Sequence, residues 1–282
     1  MNTAHTIDHV LAKVKDIAVL PQVVFKIMET TGSDQSSAAL LEREIIVDPG
    51  FSAKVLAQAN SAFYGLPKKV TSIREAVMFL GFRQVRSLAM SVGVFDLFVG
   101  KTDTESLRRR SWWRSSVDTA LCSKWLATRF NGIEPEEAYT CGLLHLIGKT
   151  LLDRFDSSGF KQIEEFIDQG VTDREAERQI YGCDHVQVAL AVAKQWGFPE
   201  TLVYGLNSAD VPEQDAPCLR LRAAVAISHH IVERVVQSMP ELNLLQGLPE
   251  WASEALVIPN ESADQIIAGA LATIAAASAL AA

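Results

Sequence analysis

The chain has 282 residues, and 48% of them are hydrophobic, which is enough to bury a sizeable core and excludes a disordered chain. Its 26 basic and 34 acidic residues give a net charge of -8, a balance that weakens non-specific binding to a nucleic-acid backbone. We therefore expect one folded domain in two lobes, and no nucleic-acid partner.

Apolar residues recur at helical spacing from the first lobe onward, as in Leu11, Val14 and Ile17, whereas the alternation typical of strands is rare. This pattern predicts an all-α fold. Residues 1–104 form the predicted N-terminal helical lobe, with five short helices between residues 20 and 98. The polar segment 101–106 can cap the next helix, so it marks the predicted lobe boundary.

Residues 105–282 form the second predicted helical lobe, which ends in C-terminal extension helices. Its predicted helices are 112–130, 135–155, 160–169, 173–181, 185–196, 219–239 and about 262–282. The last of these carries no charge from residue 266 onward, but it is shorter than the roughly 20 apolar residues of a membrane span. We expect it to pack against the lobe.

Two further observations concern the cellular setting. The N-terminus has no basic stretch followed by an apolar run, so no secretory signal is predicted and a cytoplasmic location is expected. The four cysteines include no CxxC pair, which favours reduced thiols in the core over a disulfide framework or a zinc knuckle.

The densest motif of the first lobe runs from Ile45 to Arg83. Asp48 is placed to cap a helix that has Pro49 at its first position, and Gly65 suits a left-handed exit. Thr71 or Ser72, followed by Glu75, has the form of a capping box. These residues all have structural roles on this interpretation.

Taken together, the acidic-Pro dipeptide, the Asn-Ser-Ala-Phe-Tyr run from Asn60 and the Thr-Ser-Ile-Arg-Glu-Ala-Val helix that closes on Leu-Gly resemble the HDOD family. The resemblance spans roughly Ile17 to Asn207. It implies a helical first lobe joined to a second lobe related to HD-type metal-dependent phosphohydrolases. It also implies a regulatory role in bacterial signalling.

In the second lobe, the segment from Gly142 to Lys149 is similar to the Leu-Leu-His-Asp-Ile-Gly-Lys segment of HD enzymes. In active relatives, a His-Asp pair and an earlier histidine help to hold the metal ions that activate water. Here Leu146 stands at the Asp position, and the earlier histidine falls at Ser115 or Ser116. A leucine cannot bind a metal ion, so the resemblance implies a dismantled site.

The residual metal candidates are His145, His185 and Asp184, with Asp153 as another carboxylate within possible reach. Where relatives often carry a His pair after a Trp-Gly-x-Pro turn, this chain has none. His229 and His230 lie in a long apolar helix, and we interpret them as structural. No metal ion and no cofactor are expected.

Candidate binding residues lie near the groove that we expect between the lobes, and Lys149 belongs to them although it can also neutralise a helix C-terminus. They are Asn60, Ser61, Tyr64, Arg83, Arg86 and Lys149. The Arg108-Arg109-Arg110 triplet beside Trp112 could contact nucleic acid, but helical geometry separates its members and favours a packing role for the tryptophan.

The leading hypothesis is a non-catalytic, cytoplasmic signalling module that binds a signalling protein in trans or a small anionic ligand. The alternative is a degenerate phosphohydrolase or cyclic-nucleotide phosphodiesterase that uses His145, His185 and Asp184. A nucleic-acid-associated regulator ranks last because of the acidic charge balance. The sequence gives no indication of the oligomeric state or the identity of the partner.

Overall fold

The computed structural model describes residues 7–18, 20–31, 37–98, 103–211, 218–240, 244–257 and 263–278. Within these residues every regular element is a helix and no strand is formed, which confirms the predicted all-α class. The first six helices are α1 (Ile7–Ile17), α2 (Gln22–Thr31), α3 (Ala38–Ile46), α4 (Pro49–Ala59), α5 (Ile73–Leu80) and α6 (Phe82–Phe98).

The second half of the chain adds ten helices within the described residues. They are α7 (Asp103–Ala127), α8 (Pro135–Leu144), α9 (Ile147–Phe155), α10 (Ser157–Asp168), α11 (Asp173–Tyr181), α12 (His185–Gln195), α13 (Glu200–Leu206), α14 (Leu219–Val236), α15 (Glu250–Leu256) and α16 (Ala263–Ser278).

The helix boundaries of the first lobe follow from local side-chain chemistry. An oxygen of Asp48 accepts a hydrogen bond from the amide of Phe51 at 2.9 Å, with Pro49 at the first helical position of α4. Ser72 caps α5 by accepting from the amide of Glu75 at 3.1 Å. Gly65 adopts a positive φ of 54°, so the predicted exit from this motif is confirmed.

The second lobe departs from the predicted helices in one place that matters for the site. The single helix predicted for residues 135–155 is wrong, because the chain breaks at His145 and Leu146 between α8 and α9. The imidazole Nδ1 of His145 lies 2.6 Å from the carbonyl oxygen of Gly142, which a continuous helix would pair with the amide of Leu146. The break therefore places His145 at a helix junction.

Other elements of the second lobe also differ from the prediction. Helix α7 begins at Asp103 rather than at residue 112, and α13 and α15 were not predicted. The early turns of α7 are stabilised by contacts distant in sequence, since Arg108 and Arg109 form ion pairs with Asp153 in α9 at 3.0 and 3.3 Å.

Helix α7 is the centre of the second lobe, where it packs against α8, α14 and α16. Helix α6 packs against α8 and α7, and in this way it connects the first lobe to the second. A polar cluster joins them: Glu136 accepts from Ser87 and pairs with Lys124, both at 2.5 Å, and Ser91 shares a hydrogen bond of 2.8 Å with Tyr139.

Helix α1 lies against α9 and α12 rather than against its neighbours in sequence. Val10 and Val14 are fully buried there, and the indole nitrogen of Trp196 donates to the carbonyl oxygen of Ala18 at 2.9 Å. The division of the chain at residues 104 and 105 stays a prediction.

The C-terminal helix packs against α7 and α14, as expected for a docked helix. In the described part of the chain, no helix is both long and apolar enough to cross a bilayer. The four cysteines are free thiols; Cys122, Cys141 and Cys183 are buried and Cys218 is half-buried.

Candidate functional site

A cavity of about 460 Å³ opens in the second lobe beside the break between α8 and α9. Its walls come from α7, from the first turns of α9, α11 and α12, and from α14. The side chains that bear on its chemistry are Trp112, Lys149, Asp173, Arg174, His185 and His229. The region corresponds to the site that the sequence resemblance identifies.

His145 is bonded at both ring nitrogens and is only 7% exposed. Its Nδ1 faces the Gly142 carbonyl oxygen, and its Nε2 lies 3.0 Å from Nδ1 of His229 in α14. Because a carbonyl oxygen can only accept, Nδ1 of His145 carries the hydrogen, and a neutral ring then accepts at Nε2. His229 is therefore the donor to His145.

Both imidazoles are held neutral by their surroundings. Burial, together with the neighbouring His229, keeps the pKa of His145 well below its usual value of 6.5. Burial, the ammonium of Lys149 and the ring of His185 lower the pKa of His229 to about 4. At neutral pH the pair thus forms a chain of uncharged hydrogen bonds that begins at the Gly142 carbonyl.

His185 begins α12 and is tied to a buried carboxylate. Oε2 of Glu177, whose side chain is fully buried, accepts from the backbone amide of His185 at 2.8 Å and contacts its Nδ1 at 2.7 Å. Gly148 lets α9 approach this helix start, because a Cβ there would lie 1.9 Å from the carbonyl oxygen of His185. The imidazole position is therefore fixed by packing as well as by Glu177.

The two carboxylates proposed to accompany these histidines are engaged elsewhere. Asp184 caps α12 and accepts from Arg174 and Arg178 at 3.0 and 2.5 Å. Asp153 pairs with the arginines of α7. Neither Asp184 nor Asp153 lines the cavity.

The side chains present do not fit the metal ions of active HD enzymes. Leu146 lines the cavity where those enzymes supply a carboxylate, and Ser115 lies on the facing helix α7 at the position of the earlier histidine, while Ser116 is fully buried. Among the described residues, no group of three or more His, Cys, Asp or Glu side chains is arranged to hold a metal ion.

Lys149 sits in the first turn of α9, so the interpretation that it neutralises a helix C-terminus was wrong. Its ammonium pairs with the carboxylate of Asp173, the first residue of α11. Burial disfavours ionisation of Asp173, but the charge of Lys149 and its hydrogen bond hold the pKa of that carboxyl below its usual value. The next residue, Arg174, pairs with Asp184 at 2.9 Å and with Asp210 at 2.6 Å.

The candidate residues of the first lobe lie outside this cavity. The Asn60 amide donates to the carbonyls of Leu56 and Val70 and accepts from the amide of Val70, so it closes the turn that follows α4. The Ser61 hydroxyl is buried without a hydrogen-bond partner. Burial and the nearby Tyr139 raise the pKa of Tyr64.

The charge of Arg83, a candidate binding residue of the first lobe, is balanced by the carboxylate of Glu134 at 2.6 Å. Arg86 is half-buried, and burial lowers its pKa although the nearby Glu137 opposes that effect. None of these residues lines the cavity that contains Lys149.

Three residues that line the cavity are not among the functional candidates predicted from the sequence: His229, Asp173 and Arg174. His229 was interpreted as structural because it lies in an apolar helix, and its partner is 84 residues away. Asp173 is the first residue of a helix, where an acidic residue is common because it interacts favourably with the helix dipole. Its position in the sequence therefore gives no sign of a further role. The one usable signal was the double histidine of α14.

Comparisons with known proteins agree with this architecture. The model of the HDOD domain family matches residues 17–211. The chain superposes with a TM-score of 0.75 on the crystal structure of a candidate phosphohydrolase from Shewanella amazonensis, at 24% identity, covering 96% of this chain and 97% of the other. The TM-score is 0.72 with a candidate signal transduction protein from Marinobacter aquaeolei, at 20% identity, covering 93% and 58%. At these identities the likeness shows a common fold.

A curated relative is an uncharacterized protein of Treponema pallidum (strain Nichols), which is 24% identical over 214 residues. The match covers 73% of this chain and 41% of the relative. The chain therefore spans about two-fifths of the length of the curated relative that it matches.

Proposed function

The chain belongs to the HDOD domain family, and on this premise we propose that it is a non-catalytic bacterial signalling module that acts by binding a partner protein or a small ligand. We place this role in the cytoplasm, with any protein partner acting in trans. The proposal concerns the second lobe, where the fold of HD-type enzymes is kept and the chemistry of their site is not.

The proposal rests on the residues that stand where active HD enzymes hold their metal ions. Leu146 stands where the resemblance places a metal-ligating carboxylate, and the best candidate ligand, His145, has both ring nitrogens committed to Gly142 and His229. Metal binding would have to break a buried hydrogen bond and would recover no carboxylate. Retention of a cavity lined by both charged and apolar side chains, without that chemistry, favours recognition over hydrolysis.

The names of two proteins with the same fold are compatible with a binding role, but they do not distinguish binding from catalysis. One is named as a candidate signal transduction protein and another as a candidate phosphohydrolase. Because the same fold hosts binding and catalysis, the assignment rests on the side chains of this chain.

One observation favours the alternative, a degenerate phosphohydrolase. The Glu177 carboxylate contacts Nδ1 of His185, and in metal sites a carboxylate often bonds the ring nitrogen of a histidine that does not bind the metal. This contact leaves Nε2 of His185 uncommitted. A hydrolase of this kind would depend on His145, His185 and a carboxylate brought in by rearrangement. We rank it second because Asp184 is already held by two arginines.

The proposal is tested by metal content and turnover. Protein purified without chelator or affinity-metal exposure is examined by elemental analysis, then supplied with manganese, iron or zinc and assayed on bis(p-nitrophenyl) phosphate and a cyclic nucleotide. We expect substoichiometric metal and no turnover above that of His145→Ala. The matched control is His9→Ala, which removes an exposed histidine of α1.

Metal-dependent turnover that disappears in His145→Ala and persists in His9→Ala would replace the binding module by the hydrolase. Circular dichroism on each variant establishes that a lost signal is not a lost fold.

A further inference from the structure

We infer that the cavity between α7, α9, α11 and α14 binds a small phosphate-bearing ligand, whose phosphate takes the place of the Asp173 carboxylate on Lys149. The inference rests on the proposed function, because it names the ligand class of a site that binds rather than hydrolyses. In the absence of ligand, the carboxylate of Asp173 would supply the negative charge that pairs with Lys149.

The ion pair between Lys149 and Asp173 is unequal in a way that favours exchange. The side chain of Lys149 is 15% exposed, whereas that of Asp173 is 41% exposed. A partly buried ammonium needs a counter-charge, since an unpaired one is costly to bury. The carboxylate, being more exposed, can turn to water at little cost and leave the ammonium to another anion.

Arg174 adds guanidinium hydrogen-bond donors at the same wall, where its charge is balanced by two carboxylates. Its guanidinium is fixed by the fully buried carboxylate of Asp184 and by Asp210, so its position is set before any ligand arrives. A planar guanidinium and an ammonium are the groups that proteins use most for phosphate. Glu233 also lines the cavity and opposes an anion, so the phosphate is expected at the Lys149 and Arg174 end.

The rest of the cavity suits an uncharged part of the ligand. Trp112 is half-buried and packs on Phe160 with ring centres 5.2 Å apart, and Leu146 and Val236 complete an apolar wall. The volume of about 460 Å³ falls within the range of small-molecule pockets. A ligand of mononucleotide size, with a ring near Trp112, fits both the volume and the lining.

Replacement of the Asp173 carboxylate by the phosphate would also change contacts outside the cavity. Asp173 lies in the first turn of α11, whose capping box is formed by Thr172 and Glu175, and α11 packs on α10. Release of Asp173 from Lys149 uncouples this turn from α9. Ligand binding would therefore loosen the first turn of α11.

The test uses isothermal titration calorimetry at low ionic strength with three probes: inorganic phosphate, adenosine 5′-monophosphate and adenosine. The variants are Lys149→Met, which keeps most of the apolar stem, and Asp173→Asn, which keeps the shape but removes the competing charge. The matched controls are Lys161→Met and Asp168→Asn, both exposed on α10. Phosphate release is followed in the same samples, so that hydrolysis would be detected separately.

We expect the monophosphate to bind more tightly than phosphate, and adenosine not to bind. Lys149→Met should weaken binding at least about tenfold, as expected for the loss of a charged hydrogen bond. Asp173→Asn should tighten it roughly threefold to tenfold, because the ligand no longer competes with an internal carboxylate. A gain of affinity cannot arise from misfolding. Hydrogen exchange at residues 172–175 should rise when ligand binds.

The inference is overturned if folded wild-type protein binds neither phosphate nor the monophosphate at millimolar concentration. It is also overturned if binding is indifferent to Lys149→Met and Asp173→Asn. Those outcomes, without phosphate release, leave the non-catalytic proposal standing, whereas release of phosphate that depends on His145 would remove the proposed function itself.

Discussion

We expect the buried pair of His145 and His229 to make the stability of this protein depend on pH below 7. In the unfolded chain each histidine titrates near 6.5, whereas burial and the neighbouring Lys149 hold the pKa of His229 at about 4 in the folded protein. Between these values the unfolded state binds more protons, so the free energy of unfolding falls as the pH falls. For His229 alone the loss between pH 7 and pH 5 is about 2 kcal/mol.

Urea unfolding followed by circular dichroism at pH 7, 6 and 5 measures this loss. The comparison is between the wild type and His229→Gln, whose amide can still donate to Nε2 of His145. We expect the variant to be less stable at pH 7 and the gap to narrow by about 2 kcal/mol at pH 5, because glutamine does not titrate. His9→Gln, at an exposed position, should follow the wild type. A gap between the wild type and His229→Gln that stays constant with pH would refute the reasoning.

Two further predictions concern packing and the first lobe. Gly148→Ala should lower the free energy of unfolding by roughly 3 kcal/mol, because its Cβ would meet the backbone of His185, whereas Gly50→Ala in α4 should be near neutral in the same urea assay. Equal stability of the two variants would contradict the close approach of α9 to α12. Asn60→Ala should cost about 2–3 kcal/mol and raise hydrogen exchange at residues 61–70, since it removes three hydrogen bonds. Exchange no faster than in the exposed-site control Asn131→Ala would count against that role.

Local signals were enough to predict much of the first lobe. The caps at Asp48 and Ser72 and the left-handed Gly65 depend on residues within a few positions of one another, and each was readable from spacing. The leucine at the position where relatives carry a metal-ligating carboxylate is also visible in the sequence without any structure.

The site itself depended on contacts that spacing does not reveal. His145 meets His229 across 84 residues, and Lys149 meets Asp173 across 24, because α14 and α11 are folded onto the same cavity. The break at His145 was missed for a related reason. The residues around it have ordinary helical periodicity, and the interruption coincides with a side-chain hydrogen bond from His145 to the Gly142 carbonyl oxygen.

The attachment of α1 has a practical consequence for defining the folding unit. The family match begins at residue 17, yet the helix before it buries Val10 and Val14 against α9 and α12. A truncation placed at the start of the matched segment would uncover apolar surface on the helices that form two walls of the cavity. We therefore expect a fragment that keeps α1 to be more stable than one that begins at residue 17.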